Sequence, residues 1–122
     1  MTTVKVAAAQ IRPALFSLDG SLQRVLDAMA AAPAQGVELI VFPETFLPYY
    51  PYFSFVEPPV LMGRSHLALY EQAVVVPGPV TDAVAAAARQ YGMQVLLGVN
   101  ERDGGTLYNT QLLFNSFGEL VL

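Results

Sequence analysis

Apolar and polar positions along the chain alternate between two rhythms. Residues 4–10 (Val4-Lys5-Val6-Ala7-Ala8-Ala9-Gln10) form a short, largely apolar run that stops at Arg12-Pro13, which predicts a strand followed by a loop over 11–18. Between 19 and 34 the spacing changes: Leu22, Val25, Leu26 and Met29 recur at the intervals of one helix face, with Asp19 or Ser17 placed to cap the start and Gly36 to close the end. Val37-Glu38-Leu39-Ile40-Val41-Phe42 returns to a brief apolar run, the mark of a strand buried on both faces.

The second half repeats the alternation. Glu57-Pro58-Pro59 cannot be helix interior, but 60–72 can follow as a short helix with Leu61, Leu67, Leu69 and Tyr70 among its packing residues. Val74 to Pro79 reads as an extended segment ending in a turn. The alanine-rich stretch 80–91 predicts a helix, with Pro79 suited to its first turn and Gly92 to its end. Residues 93–99 predict a third strand, Asp103-Gly104-Gly105 a turn and 106–115 a fourth strand; a hairpin turn around Ser116-Phe117-Gly118 leads into the start of a fifth. Strands alternating with amphipathic helices predict an α/β domain, a sheet with helices outside, and no linker or repeat divides 1–122 into two.

The candidate chemistry sits where the second strand stops. Pro43 cannot donate a ladder hydrogen bond, so it ends the strand and delivers Glu44 to its carboxyl end, the place where open α/β sheets keep their ligands. A carboxylate desolvated at the mouth of an apolar strand suits proton transfer. Glutamates past a strand are more often solvated turn residues or caps, but the nonapeptide that follows, Thr45 to Phe53, carries Phe46, Tyr49, Tyr50, Tyr52 and Phe53 and is too aromatic for an exposed loop. Tyr50 is the candidate for shaping a substrate pocket, against the alternative of packing or a subunit contact.

Composition removes several classes of function. Net charge is −4, and the six basic residues are scattered, which argues against a nucleic-acid partner. Charged residues make up 13% and hydrophobic residues 54%, rich in apolar groups for a free-standing domain and a sign that some apolar surface belongs against something else. The apolar start is too short for a signal peptide, and proline, glycine or charge interrupts every candidate membrane span, so no membrane association is expected and the default location is the cytoplasm. The first βα turn, Ala8-Ala9-Gln10-Ile11-Arg12-Pro13, has no glycine to admit a pyrophosphate, which excludes a nucleotide-binding fingerprint. His66 has no Cys or acidic partner at ligand spacing and reads as a packing or surface residue, so no metal site is expected. Glu101, placed after the third strand, could reach the Glu44 cleft, although the polar stretch 100–105 favours a surface role, and Asn109 reads as structural.

Phe42-Pro43-Glu44-Thr45-Phe46-Leu47-Pro48 followed by Tyr50-Pro51-Tyr52 resembles the segment around the catalytic glutamate in the nitrilase branch of the carbon-nitrogen hydrolases. Residues 4–10, Val76-Pro77-Gly78-Pro79, Leu97-Gly98-Val99-Asn100-Glu101-Arg102 and Leu107-Tyr108-Asn109-Thr110 are similar to further segments of that family, in its order, so the likeness runs through essentially the whole chain. The resemblance implies a four-layer αββα sandwich and a glutamate, lysine and cysteine acting together. A cysteine thiolate would attack the nitrile carbon to give a thioimidate, and water would carry it through an acylated enzyme to carboxylic acid and ammonia. Glu44 would be the general base, and the lysine would stabilise charged intermediates. No cofactor is implied; the partners are a small nitrile and other copies of the chain in a homo-oligomer.

The chain departs from that pattern in two respects. It has no cysteine, and its only lysine, Lys5, lies in the first strand pattern and does not match the catalytic one. The resemblance therefore identifies these residues as an N-terminal portion of the sandwich, ending in an apolar run (Leu120-Val121-Leu122) that should leave an exposed edge and one uncovered sheet face. Alternatives are an amidase of the same superfamily and a non-catalytic fragment that acts as an interaction module.

Overall fold

The computed structural model of the chain describes residues 2–122. Its first strand, β1, is Val6–Ala8; helix α1 follows at Leu18–Ala31 and tightens into a 3-10 turn, Ala32–Gln35, before β2 at Leu39–Val41. Ser17 is the cap of α1, its hydroxyl accepting the Gly20 N–H at 3.0 Å, and Gly36 closes the helical segment at φ 71°. The remaining elements are α2 (Phe53–Val56), α3 (Pro59–Gln72), α4 (Pro79–Tyr91), β3 (Gln94–Asp103) and β4 (Thr106–Phe114). At the start of α4 the Thr81 hydroxyl accepts the Gly78 N–H at 2.8 Å, and Gly92 ends the helix at φ 61°.

The four strands form one sheet in the order β1-β2-β3-β4, with β1, β2 and β3 parallel and β4 antiparallel to β3. The registers Ala7↔Ile40, Ile40↔Val95, Val95↔Phe114 and Leu97↔Leu112 align one apolar row across all four strands. That row joins Val25 and Met29 of α1 and Val84, Ala87 and Ala88 of α4 in a single core. The opposite face carries Val6, Ala8, Leu39, Val41, Leu96 and Leu113, none of them fully buried, and Val6 is 54% exposed. Helices α1 and α4 thus cover one face. The terminal residues extend the sheet beyond β4, with the Val121 N–H donating to Leu113 O at 2.8 Å and the Leu113 N–H to Leu122 O at 2.7 Å; Leu122 itself is exposed. The uncovered face and the apolar edge expected from the sequence are both present.

Several expectations change in detail. Strands β1 and β2 are shorter than their apolar runs, since only three residues of each align in register. The segment after the aromatic loop forms a one-turn helix, α2, that the prolines obscured. On α3 only Leu69 is buried, while Leu61 and Leu67 are exposed. The third strand runs on to Asp103 because β4 pairs with it from Val95↔Phe114 to Asp103↔Thr106, so the polar stretch 100–103 is strand and Glu101 lies within it rather than after it.

Candidate active site

The loop bearing Glu44 is built by the edge of β3. Even-numbered β3 residues present their backbone to three successive partners on that edge. Strand β2 occupies the first part, and the Phe42 N–H donates to Leu96 O at 2.8 Å. Leu47 then takes over, its N–H donating to Gly98 O at 3.2 Å and its carbonyl accepting the Asn100 N–H at 2.7 Å; Val74 continues the ladder between Asn100 and Arg102. Between Phe42 and Leu47 the chain leaves the ladder, because Pro43 has no N–H to offer, and arches over the uncovered face.

Gly98 lies under the arch. A Cβ at this position would stand 2.7 Å from Thr45 N and 2.8 Å from Glu44 Cα, so only a residue without a side chain lets the loop descend this far. Thr45 holds φ 43°, left-handed backbone that costs a β-branched residue about 1–3 kcal/mol and persists only where surroundings enforce it. The surroundings here are the ladder bonds on either side and two polar clamps downstream. Asn100, buried, donates through Nδ2 to Tyr49 O at 2.9 Å, and the buried Ser21 hydroxyl of α1 lies 2.7 Å from Pro48 O. Thr45 Oγ1 and the Tyr49 hydroxyl are buried without a partner among the described residues, and burial pushes the Tyr49 phenol above its ordinary value.

Glu44 is exposed on the open face, so the desolvation expected of it is not supplied by these residues. Its Oε1 accepts a hydrogen bond from Nδ2 of Asn109 on β4. Glu44 and Tyr50 line one cavity of about 310 Å³, closed by Ile11, Pro43, Phe46 and Tyr52. Tyr50 is braced within its own aromatic cluster, its ring 4.7 Å from Tyr52 and stacked on Phe55 at 6.3 Å. A shallower hollow of about 380 Å³ beside Arg24 and Asp27 shares only Ile11 with this cavity and contains neither Glu44 nor Tyr50.

Glu101 does not reach the cleft. It belongs to the helix-side row of β3 and accepts a hydrogen bond from the Thr110 hydroxyl at 2.7 Å. His66 packs edge-on against Phe53, with Nδ1 3.0 Å from Met62 O. Among the described residues no group of three or more His, Cys, Asp or Glu could hold a metal ion, and no helix is long and apolar enough to cross a membrane. Sequence reasoning missed Gly98 and Asn100 and read Asn109 as structural, although it is the side chain that bonds Glu44. The one available signal was Gly98, since an isolated glycine inside a strand marks close approach of another backbone.

A family profile described as carbon-nitrogen hydrolase matches residues 5–122. The chain belongs to the carbon-nitrogen hydrolase family. It is 60% identical over 119 residues to a nitrilase of Paraburkholderia phymatum, covering 98% of this chain and 35% of that protein. A protein called nitrilase 3 from an unknown prokaryotic organism is 52% identical over 123 residues, with 99% of this chain and 37% of the relative covered. In fold it resembles an amidase from Nesterenkonia sp., with a TM-score of 0.67 at 21% identity over 98% of this chain and 41% of the amidase. The chain thus spans about a third of the length of the curated relatives it matches. Its sheet with helices on one side is the corresponding portion of the carbon-nitrogen hydrolase α/β fold.

Proposed function

We propose that the protein containing these residues hydrolyses nitriles to carboxylic acid and ammonia, with Glu44 as general base and Tyr50 shaping the substrate pocket. The observation that carries this reading is the Glu44 carboxylate, held by Asn109 and lining a largely apolar cavity at the carboxyl end of β2. A base must be fixed yet accessible, and Oε2 has no hydrogen-bond partner among the described residues and is free to accept a proton. In the reaction, Glu44 takes the proton of a cysteine thiol as sulfur bonds to the nitrile carbon and passes it to the nitrile nitrogen, giving the thioimidate. Water then adds to that carbon, Glu44 relays both of its protons in turn to nitrogen, and the carbon–nitrogen bond breaks to release ammonia and leave the thioester. A second water gives a proton to Glu44 as it attacks, the carbon–sulfur bond breaks, and that proton returns to the thiolate. A lysine ammonium offsets the charge that develops on nitrogen and oxygen. Neither the cysteine nor a matching lysine is among the 122 residues, so this chain by itself is expected to turn over neither nitriles nor amides.

Identity of 60% to a nitrilase supports a nitrile over an amide substrate; the fold likeness to an amidase supports the amide as second reading. A cytoplasmic location and an ordered homo-oligomer complete the proposal; the family resemblance supports them, and the absence of a membrane-spanning helix among the described residues is compatible with both. The test is the chain joined to the family's cysteine-bearing segment. There Glu44→Gln, nearly isosteric but unable to accept the proton, should lower kcat by about 100-fold or more while thermal unfolding is unchanged. Retention of the rate would remove Glu44 from the chemistry, and turnover of amides alone would favour the second reading.

A further inference from the structure

We propose that Asn109 is the positioning residue for Glu44, a role that rests on reading Glu44 as the general base. The two residues are 65 positions apart and come together because of register. Asn109 lies opposite Asn100 on the β3–β4 ladder, and the next pair along, two residues away on each strand, is Gly98↔Gln111. The arch over Gly98 therefore brings Glu44 down directly beside the Asn109 side chain. The Gly98 seat fixes where the Glu44 backbone lies, but it leaves the side-chain torsions free; a hydrogen bond from a neighbouring strand is what selects one of them.

The residue type suits this task. An ionised carboxylate only accepts hydrogen bonds, and the asparagine amide donates without carrying charge, so it orients the base without neutralising it as a lysine or arginine would. It engages Oε1 alone, which leaves Oε2 without a hydrogen-bond partner among the described residues. Asn109 contributes little to the fold. It is exposed, its backbone is held in the ladder whatever its side chain, and the packing of β4 comes from Leu112 and Phe114. A loss of activity on changing it would therefore report orientation rather than unfolding.

The experiment uses the chain joined to the cysteine-bearing segment and compares Asn109→Ala, Asn109→Asp and Glu44→Gln. Positioning predicts that Asn109→Ala lowers kcat by roughly 10- to 100-fold with KM changed less than about threefold, the scale of a slightly misplaced catalytic group. Asn109→Asp, which replaces the donor with a like charge, should fall at least as far. Both variants should unfold at the temperature of the parent. In nuclear magnetic resonance spectra of the 122-residue chain, the Asn109 side-chain amide should exchange slowly and lose that protection in Glu44→Ala. If Glu44→Gln abolishes turnover while both Asn109 variants keep the parent kcat, the positioning role is overturned and the base reading stands. If the Asn109 variants lose thermal stability and substrate affinity together with kcat, the residue is structural and the proposal again fails. If Glu44→Gln keeps its rate, the base reading itself falls, whatever the Asn109 variants do.

Discussion

On the helix side of the sheet, Val95, Leu97, Val99 and Phe114 are completely buried against α1 and α4, whereas on the other side Val6 stands more than half exposed and the row from Val41 to Leu113 is only partly covered. The residues that seat and hold Glu44 lie mainly on that second side. Glu44 arches over it, Gly98 receives the arch, Asn100 clamps its far end and Asn109 bonds the carboxylate. The division is physical. A closed apolar face has no room for a substrate, and a face with unpaired polar groups gains little by being packed shut. Stability should respond mainly to changes on the first face, and activity mainly to changes on the second.

The largest stability effect should follow a cavity on the helix side. Phe114→Ala removes a ring at 0% exposure from the shared core and should cost about 3–5 kcal/mol, read as a lower midpoint in urea unfolding of the 122-residue chain. A small change there would mean that the helix layer does not hold the sheet.

Gly98→Ala sharpens the comparison because a single methyl group is added on the open side. Its Cβ would meet the backbone of Glu44 and Thr45, which cannot rotate away as a side chain can, so the arch must lift. Stability should fall by about 1–3 kcal/mol, the usual cost of overpacking. Activity in the cysteine-complemented enzyme should drop by about 100-fold, since a displacement of the order of 1 Å suffices for that. Equal turnover by the alanine variant would show that the arch need not lie against β3.

Tyr49→Phe, the smallest expected effect, probes the boundary between the two sides. The Tyr49 ring packs edge-on against Phe16 at 5.4 Å, but its hydroxyl is buried without a partner. Removing that hydroxyl should leave stability at pH 7 equal or raise it by about 1 kcal/mol, because a desolvated and unpaired group is lost. Burial raises the folded-state phenol above 10.0, so the stability of the parent is full below about pH 10 and declines as pH rises through the folded value. The phenylalanine variant lacks that decline, and the gap between their unfolding midpoints should widen above pH 10. Parallel curves would indicate that the hydroxyl reaches solvent.

Much of this was open to a reader of the sequence. Hydrophobic spacing is a local property, so α1 and α4 were predicted nearly to their ends, and Gly36 and Gly92 close their helices with φ of 71° and 61° as expected. Pro43 followed by Glu44 was legible for the same reason, since loss of one N–H ends a strand wherever it occurs, and the aromatic density after it pointed to the cavity that Tyr50 now lines. The extent of β3 was not legible. Asn100 to Asp103 looks like a polar turn until a partner strand satisfies its backbone, and that partner lies beyond the Gly104-Gly105 turn.

The partners of Glu44 depended wholly on tertiary structure. Asn109 is 65 residues away and Asn100 acts on Tyr49 across 51, and nothing in either residue's neighbours marks it for those contacts. Which polar residue of a strand faces the site is set by register, and a slip of β4 by one residue would turn Asn109 to the helix side. Composition and periodicity decide which segments bury and where the chain must turn, because those are short-range consequences of side-chain and backbone chemistry. The choice of neighbour for the Glu44 carboxylate arises only when strands align, because it is a property of pairs that the order of residues along the chain does not contain.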